Sequence, residues 1–590
     1  GETCRNVLWE GKNGNVVQLS FHRFVSYKNV HVIGAYVEIK PVNCDVKATV
    51  VSGINAQVTN HGAQHLTEFS KRAFEEKFLQ MGMVTTESAV SIAVSTVHKV
   101  FQSGKYTEDA ASKIIDDRRK IHAEIQLVIP QGETARVEKI STVHSSRDLE
   151  YVASGKEPEG ENVCRDGLDN LKEAEEKGYE TLLEGSKKVW EKIWKKQDIQ
   201  IDSKEDDAQI AVRFALYHLQ IMVRSEDNRV GIGAKALSGE GYKGHSFWDT
   251  ETFIFPYFQM AEPKTARTLL EFRYKGLYGA RKKAIENGYK GAMYPWESSG
   301  KGNEDNTVTN IYGPFENHIT GDVAMAAWQY YAVTQDLEWL RQKGFPILSA
   351  AAEYWVSRSE PNEAGEYEIR NVIGADEWNQ NPQGGKNVNN NAYTNGVAKS
   401  TLEAACKAAK LLNVKSDPMW TTVAEKLRFR KLANGVTAEH DTYDGAITKQ
   451  ADVCLLAFPL KLVTDKEQIW RDLEYYLQTV PRKKTPSMSK SIYSILFTRL
   501  GDRERAWHYF RDSYLPNLNP PFRVIAEFDG GTNPYFLTGA GGVLQSVLMG
   551  FGGLDITDKG IVAGKGAIPD AWKSLTLKGI GKEKKNYIIK

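Results

Sequence analysis

The chain has 590 residues, too many for one ordinary hydrophobic core, so roughly two to four domains are expected. Its 76 basic and 75 acidic residues leave a formal charge of +1, a balance that argues against nucleic acid or an anionic membrane surface as partner. Five scattered cysteines without a CxxC spacing signal neither a disulfide framework nor a zinc site, and no apolar run approaches the roughly 18 residues of a membrane span.

The chain opens on "GETCRNVLWEG", with no Met and no signal-peptide pattern, which reads as a mature or trimmed product. Period-two alternation then marks half-buried strands in "NVVQLSFHRFVS", "VHVIGAYVEIKPV" and "KATVVSGINAQVT", and again in "IHAEIQLVIP" and "ARVEKISTVHS". Strands at this spacing predict a β-sandwich. A charged, helix-period stretch, "DNLKEAEEKGYETLLEGSKKVWEKIWKKQDI", follows as a helical linker. From Asp206 the period is helical for more than 300 residues, as in "DAQIAVRFALYHLQIMV", "ITGDVAMAAWQYYAVTQDLEWLRQKG" and "NGVAKSTLEAACKAAKLLN". Long loops rich in Gly, Asn, Pro and Trp separate these helices. Loops of that length are uncommon unless they are functional, so a helical toroid with a pocket on its loop face is expected. The final segment returns to short strands in "GIVAGKGAIP" and "KSLTLKGIGKEKKNYIIK". The expected division is a β-sandwich over 1–165, a helical linker over 166–205, a helical catalytic domain over 206–552 and a small β region over 553–590.

Four loops combine carboxylates with large aromatics. They hold Trp248, Asp249 and Glu251; Trp296 and Glu297; Asp376, Glu377 and Trp378; and Glu527 and Asp529. Cleaving a glycosidic bond needs two carboxyl groups on opposite faces of a sugar, with aromatic and amide groups to hold its hydroxyls. Glu377 is a candidate general acid, with Asp376 as a like charge and Trp378 as an apolar wall to keep it protonated. The plainer reading of "DEW" is a solvated turn. Glu527 is a candidate base or a strand-end charge, and Asp249 is a sugar contact or a helix cap. Lys449 and Gln450 are ligand contacts or polar residues at a helix start. His61 and His65 are four residues apart but lack the HExxH pattern, and they read as surface residues. No phosphate-binding, dinucleotide-binding or nucleophile-elbow motif is present, so no organic cofactor and no metal is expected.

The motifs "GEGYKGHSFWDTETFIFP", "GAMYPWESSGKGNED", "GADEWNQ…NNNAYTN", "TKQADVCLLAFPL" and "PSMSKSIYSILFTRLGDRERAWHYFRDSY" resemble glycoside hydrolase family 65. The resemblance implies an N-terminal β-sandwich, here lacking its first strands, a helical linker, an (α/α)6 barrel and a small C-terminal β domain. It assigns the general acid to Glu377. It also implies that Trp248, Asp249, Lys449 and Gln450 contact the sugar, and Trp296, Glu297 and Trp378 are further candidate substrate contacts. In an inverting phosphorylase, phosphate itself attacks and no protein base is needed. Here "PPFRVIAEFDGG" resembles the hydrolase branch, whose loop supplies a Glu to activate water, the place Glu527 takes 150 residues beyond Glu377. The expected activity is therefore inverting release of β-glucose from an α-linked glucosyl disaccharide or oligosaccharide, α-1,2-linked first, then nigerose or trehalose. The alternative is a phosphorylase yielding β-glucose 1-phosphate. Many members are dimers, which makes a homodimer an expectation, and the hydrolase branch favours a periplasmic or secreted setting.

Overall fold

The computed structural model describes the whole chain except residues 61, 108–111, 156–157, 238, 307–310, 379–384, 386 and 533–534. The expectation for His61 falls outside the described residues, while His65 is exposed. Contacts divide the chain into two compact units, Gly1–Lys196 and Gln197–Lys590.

The first unit is built on a large antiparallel sheet. Its strands run in the order Thr3–Glu10, Val16–Val25, Val32–Pro41, Ala135–Ser145, Ser91–Gln102, Phe78–Thr85 and Leu66–Phe74. A three-stranded sheet, Ser112–Asp117, Lys120–Ile129 and Val46–Asn55, shares an apolar core with it. The alternation is literal: Ile121, Ala123, Ile125, Leu127 and Ile129 all point into that core. The opposite face of the large sheet is covered by the helix Gly160–Gln197, through Leu171, Ala174, Tyr179, Leu182 and Leu183. This helix starts earlier than its charged sequence suggests and is broken at Gly178, where φ is 73° and ψ is 163°. That backbone conformation suits glycine alone.

The second unit is mostly helical. The helices Ile319–Thr334, Ser487–Leu500 and Leu537–Gln545 are buried nearly all round, and their apolar residues show no single stripe because each is packed on several sides, whereas Ala392–Leu412 keeps one polar side toward solvent. Ile319–Thr334 packs against Pro263–Lys275, Phe345–Arg358 and Ala392–Leu412, and Leu537–Gln545 packs against Ser487–Leu500 and Asp207–Ile221. Helices part at glycine: Pro263–Lys275 and Leu277–Glu286 meet at Gly276, and Ser487–Leu500 and Arg503–Asp512 are separated at Gly501.

A small antiparallel sheet completes this unit, in the order Ile199–Ser203, Trp572–Ile580, Lys585–Ile589. Its first strand lies inside the segment expected to be helical linker. The C-terminal strands are therefore hydrogen-bonded to residues nearly 400 positions earlier, as in the pairing of Ile199 with Leu577. Among the described residues no helix is long and apolar enough to cross a membrane.

Candidate active site

Glu377 is carried on a short turn whose approach is pinned on two sides. Ile373 bridges to Glu316, and Val372 pairs with Val388. Gly374 lets the turn come close to its support, because a Cβ there would collide with Asn391 and Asp452. Asp376 is turned inward and is 1% exposed. Its Oδ1 accepts hydrogen bonds from the backbone amides of Lys449 at 2.7 Å and Trp378 at 3.1 Å. The Asp376 amide in turn donates to Asp452 at 3.3 Å, and Asp452 also accepts from Asn391 at 2.9 Å. A side-chain hydrogen bond joins Asp376 to Glu439. Burial, and then the neighbouring acids, push both of these carboxyls above the usual carboxylate range.

This differs from the sequence expectation in one respect. Asp376 does feel the charge of Glu377, but the Glu377 carboxylate also has an ammonium beside it: Lys449 Nζ stands 2.7 Å from Glu377 Oε2. Burial works against that ammonium, yet the charges of Glu377, Glu527 and Glu316 hold its pKa above the ordinary lysine value. Gln450 is buried and donates to the carbonyl of Ala375, so in this conformation it supports the Glu377 turn from below. Trp378 is half-buried beside it.

Glu527 follows a tight hairpin, Leu518–Asn519 against Val524–Ile525. The amide of Ala526 donates to Asn517 O at 2.7 Å, that of Phe536 to Ile525 O at 2.8 Å, and that of Ser487 to Glu527 O at 2.9 Å. The backbone is thus held on both sides of the carboxylate. Glu527 Oε2 receives the Tyr242 hydroxyl at 3.1 Å and lies 3.1 Å from Lys235 Nζ. Lys235 is 1% exposed, its ammonium between the rings of Phe536 and Tyr242 at 5.0 and 5.7 Å.

The segment with Trp248 and Asp249 is anchored by Arg273. That buried guanidinium donates to Glu251 through Nε at 2.7 Å and Nη2 at 2.8 Å, to Ser298 Oγ at 3.0 Å and to Phe247 O at 3.0 Å. Asp249 accepts the Thr538 hydroxyl, and burial raises its carboxyl to about 6, with Glu527 and Glu377 adding to the rise. Trp248 is buried against Phe253, His318 and Tyr393. Beneath it lies a buried chain: His318 Nε2 pairs with Glu316 at 3.0 Å, Nδ1 with Asp322 at 2.7 Å, and Tyr393 donates to Asp322 at 2.6 Å.

Trp296 stacks on Tyr312 at 4.9 Å and meets Phe247 edge-on at 5.0 Å. Phe247 in turn meets Tyr242 at 5.2 Å, so a row of rings runs from Trp296 to the Glu527 carboxylate. Glu297 pairs with His245 at 2.8 Å, and the amides of Trp296 and Glu297 both donate to Glu304 at 2.9 Å.

The predicted residues fall into two groups. Glu377, Glu527 and Asp249 lie close enough to act on one group: the Tyr242 hydroxyl is raised by burial and then by the charges of Glu527, Asp249 and Glu377, and Lys449 pairs with Glu377. Glu297 is turned toward His245, and Trp296 is joined to Tyr242 through Phe247. The sequence reading missed Lys235, Tyr242, Arg273, Glu304, Glu316, His318, Asp322, Glu439 and Asp452. Only "ENHITGD", a histidine with acids two before and four after it, carried a local signal. The described groups able to share a cation, Glu2 with Cys4 and His22, and His31 with His144 and Asp148, lie in the first unit. In the second group Asn170 donates to His144 Nε2 and Asp148 faces its Nδ1, so both ring nitrogens are engaged by hydrogen bonds.

Residues 1–193 match the glycosyl hydrolase family 65 N-terminal domain, and residues 213–446 and 436–522 its central catalytic domain. A kojibiose hydrolase of Mucilaginibacter mallensis is 50% identical over 70% of this chain and 60% of its own length. A kojibiose phosphorylase of Halothermothrix orenii is 34% identical over 98% of this chain and 79% of its own. The solved structure of a putative kojibiose phosphorylase from the human microbiome superposes with a TM-score of 0.80 at 18% identity, covering 98% of this chain and 78% of that one, and so shares the fold. This chain spans about 60% of the length of the kojibiose hydrolases it matches. It belongs to glycosyl hydrolase family 65.

Proposed function

We propose that the protein is an inverting, exo-acting α-glucoside hydrolase that releases β-glucose, from α-1,2-linked glucose (kojibiose) first, then from nigerose or trehalose. What supports this reading is a pair of glutamates each held by fixed donors, Glu377 by the Lys449 ammonium at 2.7 Å and Glu527 by the Tyr242 hydroxyl at 3.1 Å, with the charges of both carboxylates felt at Lys449 and at Tyr242. Glu377 protonates the glycosidic oxygen. Glu527 takes a proton from water on the opposite face of the sugar, with Oε2 held by Tyr242 and Lys235 and Oε1 turned to the water. An inverting pair works with its carboxyl groups roughly 6.5–9.5 Å apart, which leaves room for that water.

Asp249 and Trp248 line the terminal glucose, with Gln450 and Trp378 behind the acid and Trp296 and Glu297 toward the leaving sugar. In this reading the helical part is an (α/α)6 barrel over 206–552, preceded by a β-sandwich over 1–165 and a linker over 166–205, and followed by the β region 553–590. The kojibiose hydrolase likeness supports the α-1,2 linkage. The phosphorylase alternative is weakened by a carboxylate at Glu527, since a second anion there repels phosphate.

The test is a panel of kojibiose, nigerose, trehalose and maltose with and without inorganic phosphate, read by NMR for the product anomer. β-Glucose formed at a rate indifferent to phosphate is expected. Turnover that requires phosphate overturns the hydrolase reading.

A further inference from the structure

The surroundings of Glu527 show more than a base. Its Oε2 is the meeting point of a buried ammonium and a phenol, each at 3.1 Å, while Oε1 stands farther from the phenol, at 3.4 Å. The two donors are seven positions apart in the chain, and the backbone beside Lys235 is fixed from outside. The amide of Leu537 donates to Ala234 O at 2.9 Å, directly before Lys235, and joins it to the helix that carries Thr538. Phe536 closes over the ammonium from that helix's start. Lys235 thus brings a charge into a place where its stem is wholly buried, and the Glu527 carboxylate in front of it offsets the cost of that burial.

We infer that Lys235 and Tyr242 form an anion-holding pair which the Glu527 carboxylate occupies, and that with this carboxylate removed the pair accepts a small monoanionic nucleophile that attacks the anomeric carbon in place of water. The inference rests on the reading of Glu527 as base. In the intact enzyme the pair is a positioning device: it holds Oε2 so that Oε1 faces the water.

The experiment uses the full chain, α-glucosyl fluoride and sodium azide. Fluoride leaves without a proton, so the step does not depend on Glu377. A lone pair of azide forms the C1–N bond, the C1–F bond breaks with its electrons leaving on fluoride, and inversion yields β-glucosyl azide. Glu527→Ala alone is expected to lose about 10²-fold or more in fluoride release. Azide is expected to restore about tenfold or more of it, with β-glucosyl azide identified by NMR. In Lys235→Met/Glu527→Ala and in Tyr242→Phe/Glu527→Ala the restoration drops to within about twofold of the azide-free rate. Tyr242 is 39% exposed, so its Phe variant folds even where replacement of a buried lysine does not.

Restoration of equal size with and without Lys235 and Tyr242 overturns the anion-holding pair. So does Glu527→Ala that azide leaves unrestored. Hydrolysis surviving in Glu527→Ala before any azide is added sinks the base reading itself, and the azide-free rate separates that failure from the others.

Discussion

Lys449 holds both acids of the Asp376–Glu377 pair: its ammonium stands 2.7 Å from Glu377 Oε2 while its backbone amide donates at 2.7 Å to Asp376 Oδ1. The backbone bond survives any substitution except proline, so the two functions separate by mutation. Lys449→Met keeps the turn in place and removes a charge-assisted hydrogen bond worth about 1.5–3 kcal/mol, which lowers kcat/KM for kojibiose about 10- to 100-fold. Steady-state kinetics checks this, and an unchanged kcat/KM would show that the ammonium touches no sugar.

The two carboxylates differ in what they do to the leaving group. Glu377→Gln removes a proton donor and lowers kojibiose hydrolysis about 10²- to 10⁴-fold, while α-glucosyl fluoride, whose leaving group needs no proton, is still turned over. Glu527→Gln abolishes turnover of both substrates and leaves sugar binding intact, as calorimetric titration with kojibiose will show. Equal losses on the two substrates in Glu377→Gln would contradict its role as acid.

Arg273 ties the Trp248–Asp249 segment to Ser298 through four hydrogen bonds, two of them parallel to Glu251. Lysine cannot reproduce that fork. Arg273→Lys leaves Glu251 buried with an incomplete partner and destabilises the helical unit by about 3–5 kcal/mol. Urea denaturation measures the loss, and activity at low temperature falls with it because Asp249 is no longer held.

The buried chain Glu316–His318–Asp322 makes stability depend on pH. Burial raises the Glu316 carboxyl to about 8; burial opposes the His318 charge, but Asp322 and then Glu316 outweigh it and raise the imidazole to about 10. Both groups hold their protons more tightly folded than unfolded. Their stabilisation is complete below their ordinary values and is lost as pH rises through about 8 and then about 10. The melting temperature is therefore expected to fall between about pH 6 and pH 10, and Glu316→Gln should flatten the part of the fall below about pH 8. A wild-type melting curve flat across that range would contradict this.

How much of this was legible in the chain alone depends on distance along it. Strand alternation in Lys120–Ile129 and helical period in Ala392–Leu412 are local properties, and they appear where the pattern put them. Glu377 and Glu527 stood out because acids beside aromatics and glycines in long loops form an unusual local composition. Trp296 and Glu297 had the same composition, yet Glu297 faces His245. Composition marks a loop, but it does not say which way a side chain turns.

The sequence by itself determined the order of β and helical parts, the loops that set acids beside aromatics and, through its motifs, the family. Only the tertiary structure decided which charges meet: Tyr242 reaches Glu527 across 285 residues, and the Lys235 of "GIGAKALSG" reads like any solvated lysine until the fold buries it against that carboxylate. The reason is physical. Backbone propensity acts within a few residues, whereas an ion pair or a desolvated carboxyl takes its energy from whatever the fold brings within a few ångströms.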